Sequence, residues 1–92
     1  MASNTDAFDA AISTVTQERG KDYGAPLQDF ERVSEMALHL TSCPDPAIYH
    51  SMYMICVKLS RLVHSPHHLD SIIDIAGYAR TMAMIIDERE EQ

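Results

Sequence analysis

Four stretches of this chain repeat apolar residues at helical spacing, separated by short breaks of proline, glycine and serine. Phe8, Ala11, Ile12 and Val15 form the stripe of an amphipathic helix expected over 6–19. Gly20 then stands where helices end in the left-handed conformation, and Lys21 to Ala25 reads as a connector. Pro26 suits a first helical position and predicts a second helix over 26–40, with Leu27, Phe30, Val33, Ala37 and Leu40 on its apolar side. Asp45-Pro46 is an N-cap and first-turn pair that starts a third helix over 46–63. Its stripe is Ile48, Met52, Ile55, Leu59 and Leu62, with Tyr49, Cys56 and Val63 beside it. Ser65-Pro66 repeats the device and predicts a fourth helix reaching Glu88. One face of that helix carries Leu69, Ile72, Ile73, Ala76, Ala83 and Ile86; another carries Asp70, Asp74, Gly77, Tyr78, Thr81 and Ile85. No stretch alternates as a strand would, and no segment repeats another.

The expectation is therefore an all-α chain, four-helix bundle-like, in a single helical domain over 1–92. The link between the third and fourth helices is so short that they must run antiparallel. In such a hairpin, facing positions keep a nearly constant sum of residue numbers. That rule sets Arg61 near Asp70 and Lys58 near Asp74, two cations on one helix opposite two carboxylates on the next.

Composition adds limits on function. The hydrophobic fraction of 46% is ordinary, but 92 residues leave much of it near solvent, so a homo-oligomer is expected to cover the remainder. Fourteen acidic against seven basic residues give a net charge of -7, which argues against binding a phosphate backbone or an anionic membrane. The polar, acidic stretch from Met1 to Asp9 lacks the pattern of a secretory signal, and no apolar run approaches the roughly 20 residues that span a bilayer. Cys43 and Cys56 fit neither a zinc pattern nor a disulfide framework, and Cys56 reads as a small core residue. A cytoplasmic location is expected.

The residues that could carry chemistry lie mostly on the hairpin. Lys58, Arg61, Asp70 and Asp74 read either as interhelical ion pairs or as a site where the two cations hold phosphate oxygens. Glu31 and Glu35, one turn apart on the second helix, would add two carboxylates to Asp70 and Asp74 and make an oxygen-rich set suited to magnesium. A solvated acidic face is the simpler account of Glu31 and Glu35. Tyr23 and Tyr78 are candidates to stack on a base or ribose. Gly77 weakens its helix unless something approaches closely there. His64, His67 and His68 straddle a turn and do not form a helical zinc pair. The serines read mostly as cap residues, and no catalytic triad can be assembled.

The segments Glu18-Arg19-Gly20-Lys21-Asp22-Tyr23-Gly24, Phe30-Glu31-Arg32, Lys58-Leu59-Ser60-Arg61-Leu62 and Asp70 to Ala79 resemble a family of short phage and prophage proteins of unassigned function. More distantly, the helical layout and the Asp-x-x-x-Asp-x-x-Gly-Tyr helix are similar to the MazG-like all-α nucleoside triphosphate pyrophosphatases. Those enzymes hold magnesium with helix-borne carboxylates spaced by three. The acidic pairs here are spaced by four, and Asp70 and Asp74 have basic neighbours. The departure weakens metal-dependent hydrolysis and leaves phosphate binding open.

The favoured function is a non-enzymatic binder of a nucleotide-type phosphorylated ligand, needing no cofactor. Arg19, Lys21, Lys58 and Arg61 would hold phosphate, with Tyr23 and Tyr78 flanking base or sugar. The phage resemblance implies a role such as a counter-defence sponge that sequesters an immune signal. One alternative is a MazG-like pyrophosphatase with Mg2+ on Glu31, Glu35, Asp70 and Asp74. The other is an acidic inhibitor that docks on a basic host protein.

Overall fold

The computed structural model describes residue 6 and residues 24–92. The helix expected over 6–19, with Arg19, and the connector residues Lys21 and Tyr23 lie outside the described residues, apart from Asp6. Among the described residues the chain is all-α, with three α-helices and no sheet: α1 (Pro26–Met36), α2 (Pro46–His64) and α3 (Leu69–Glu90). A short 3-10 turn, Leu40–Ser42, joins α1 to α2. The second expected helix thus ends earlier than its apolar pattern suggests. Ala37 caps α1, and the chain tightens into turns before Cys43-Pro44.

Helix α2 lies in the middle and packs on both of the others. Its start is fixed as expected: the Asp45 side chain accepts hydrogen bonds from the backbone N–H groups of Ala47 and Ile48, at 3.1 and 3.3 Å. The antiparallel hairpin of α2 and α3 is also present. Lys58 pairs with Asp74 at 2.9 Å, and Arg89 in the last turn of α3 reaches back to Asp45. Asp45 therefore caps α2 with one oxygen and clasps the far end of α3 with the other.

The start of α3 corrects one expectation. Ser65 does not cap the helix: its N–H closes α2 by donating to the Arg61 carbonyl, and Ser65 to His68 form the turn. His68 is the N-cap, with its ring nitrogen 2.7 Å from the Ser71 hydroxyl.

The faces of the helices are a second correction. Among the described residues the apolar core is small, Val33, Ala37 and Cys56, with Met36, Leu40, Tyr53 and Val57 packed around it, where α1 and the 3-10 turn meet α2. Leu27 and Phe30, expected inward, are exposed. On α3 the side turned to α2 carries Ser71, Asp74, Ile75, Tyr78 and Ile85, and the strongly apolar face with Leu69, Ile72, Ile73 and Ile86 points outward. No helix among the described residues is long and apolar enough to cross a membrane.

Candidate functional site

The packing of α1 on α2 is organised by one serine. Ser60, fully buried, donates its hydroxyl to the Asp29 carboxylate at 2.6 Å and lies 3.3 Å from the Asp29 carbonyl. Arg32 donates to the Ser60 carbonyl at 3.0 Å and to its hydroxyl oxygen at 3.2 Å. A single hydroxyl thus bridges an acid and a base one turn apart on α1. Asp29 is itself buried, and a carboxylate out of water needs such partners.

Upstream of α1 the fit is equally close. Gly24 adopts φ +77°, and a Cβ there would come within 2.9 Å of the His64 ring. Glycine is required twice over, by conformation and by the approach of the end of α2.

Beside the Asp29–Ser60 bond the two helices leave a cleft of about 220 Å³, lined by Asp29, Phe30, Val33, Ser34, Tyr53, Val57 and Arg61. Its lining thus combines two valines, two aromatic side chains, an acid, a serine and an arginine. Tyr53 is steadied by Tyr49, whose ring centroid is 6.3 Å away at a 53° tilt.

The expected site residues fall in different places. Arg61 faces this cleft, so it does not meet Asp70; Asp70 is exposed and has no ion pair among the described residues. The constant-sum rule places Cα positions, but Arg61 lies on the side of α2 shared with Val57, and its side chain follows that side. Lys58 is buried at 8% exposure and engaged with Asp74 across the hairpin. Tyr78 is half-buried on the α2 side of α3, away from the cleft. Glu31 and Glu35 are exposed and line a shallow depression with Leu27, Phe30 and Ser34. The four carboxylates proposed for magnesium do not converge: among the described residues no three His, Cys, Asp or Glu side chains lie together as a metal site would need. The Cys56 thiol is pushed above its usual pKa by burial, so it stays protonated at neutral pH.

Asp29, Arg32 and Ser60 were missed as a unit because the serines read mostly as cap residues and no local pattern says which polar side chains of two helices will face each other. The available signal was Ser60 itself, a small polar residue between Lys58 and Arg61 in an otherwise apolar helix. Ser51 and Ser71 are buried too, so among the described residues three serines are packing residues and not exposed caps.

The chain is related to phage proteins. It is 31% identical over 74 residues to the Gene 55 protein of Mycobacterium phage D29, covering 80% of this chain and 49% of that protein. To the Gene 55 protein of Mycobacterium phage L5 it is 28% identical over 86 residues, covering 86% of this chain and 53% of that protein. The chain thus spans about half the length of these relatives. No solved structure matches it. Residues 6–86 match the model of a domain of unknown function, DUF6378, and the chain belongs to that family.

Proposed function

We propose that the chain is a binding protein that captures a small phosphorylated ligand of nucleotide type in the cleft between α1 and α2, and that in its phage setting it sequesters that ligand. The observation that supports this reading is the convergence of Arg61, Phe30 and Tyr53 on one cavity that Val33 and Val57 also line. Arginine's planar fork suits a phosphate, and an exposed phenyl face such as that of Phe30 suits a base. Asp29 and Ser34 stand ready to accept or exchange hydrogen bonds with a base or sugar. The cavity is smaller than the ~300 Å³ at which drug-sized sites begin, so it suits one part of a nucleotide, the base or the ribose phosphate, with the rest in solvent. Lys58 acts here as a hairpin strut.

Isothermal titration against nucleoside monophosphates, cyclic mononucleotides and ribose phosphates tests the reading. The wild type is expected to bind at least one of them, and Arg61→Ala to weaken it at least about tenfold, the scale of a lost charge-assisted hydrogen bond. Tyr78→Phe is expected to bind as the wild type does. Absence of binding to all of these ligands, or wild-type affinity in a folded Arg61→Ala protein, contradicts it.

A further inference from the structure

The outward face of α3 has an unusual make-up for a surface. Leu69 and Ile73 are 62% and 57% exposed, and Met84 is 47% exposed. Between them lie Ala76 and Gly77, both exposed, and nothing stands within 4 Å of where a Gly77 Cβ would be. The glycine therefore weakens the helix without serving any contact within the described chain. Charges lie along the same face, Asp70 near its start, Arg80 ten residues on and Asp87 towards its end. Among the described residues none of the three forms an ion pair; the Arg80 guanidinium rests 3.1 Å from the Met84 sulfur.

We propose that this face is covered by the same face of a second copy of the chain, with the two α3 helices antiparallel about a two-fold axis. One register is self-complementary in both charge and shape. When Arg80 of one copy faces Asp70 of the other, the symmetric pair forms automatically, as an isologous contact requires. In that register Ile73 of each copy lies over Gly77 of the other, so the large side chain enters the gap the glycine leaves. The carboxylate and guanidinium are about 15 Å apart along one helix, at 1.5 Å per residue, so both ion pairs flank the glycine contact. A foreign partner would need no such symmetry between acid and base. The pairing is independent of the nucleotide cleft, which lies on the opposite side of α2, and the failure of either leaves the other standing.

The test is the oligomeric state in solution, by light scattering and sedimentation over a range of concentrations, with circular dichroism confirming the helical fold of each variant. The wild type is expected to be a dimer. Asp70→Arg and Arg80→Asp each place like charges opposite one another twice, and each is expected to weaken the dimer at least about tenfold. The double variant Asp70→Arg/Arg80→Asp is expected to recover dimerisation to within about threefold, since the pairs are re-formed in reverse. Gly77→Leu has free space in the single chain and is expected to fold but to dimerise poorly. A monomeric wild type, a dimer indifferent to all of these changes, or a double variant no better than the singles overturns the proposal.

Discussion

The two contacts that α2 makes are built on different principles. On the α1 side a buried apolar trio, Val33, Ala37 and Cys56, lies next to a buried acid satisfied by Ser60. On the α3 side the interior is poorer in buried apolar residues, and two ion pairs set the register at separate levels of the hairpin. The first contact is specific because an unmade hydrogen bond there is costly. The second is specific through charge placement, with each pair keeping one partner about half exposed, so each is weakly stabilising but directional. The difference teaches that the α1–α2 contact determines stability at single positions, whereas the hairpin spreads its hold over a long helix.

Substitutions divide along that line. Ser60→Val removes the bridge between Asp29 and Arg32 and adds bulk where no surface is exposed. It is expected to cost about 3 kcal/mol, read from the midpoint of urea unfolding. Gly24→Ala strains a backbone at φ +77° and pushes on His64, and about 2 kcal/mol is expected in the same assay. Lys58→Met keeps the buried stem and loses the pair with Asp74, whose side chain is 46% exposed; a loss of about 1 kcal/mol or less is expected, and smaller still in high salt. A cost from Lys58→Met as large as that from Ser60→Val would remove the distinction between the two contacts.

Much of the fold was legible. The Asp45-Pro46 start of α2 is local chemistry, and the Lys58–Asp74 pair follows from a short link and antiparallel geometry. The cap at Ser65 failed because Pro66 initiates a turn as readily as a helix, and Ser65 serves the helix before it. The outward apolar face of α3 was not legible, because a hydrophobic stripe predicts burial without saying against which partner. The candidate site was half visible. Arg61 stood out as a candidate, but its assignment to the hairpin rested on register alone, and side-chain direction around α2 turns it to the other contact. Asp29 escaped because acids are rarely buried, and only the facing serine makes its burial tolerable.

The most direct test of a ligand site in the α1–α2 cleft is a map of backbone amide chemical shifts as the nucleotide found by titration is added. The account predicts that the changes centre on Phe30, Ser34, Tyr53, Val57 and Arg61, with α3 beyond Tyr78 unaffected. Changes centred on Lys58, Asp74 and Tyr78 at the hairpin, with the cleft silent, would contradict it.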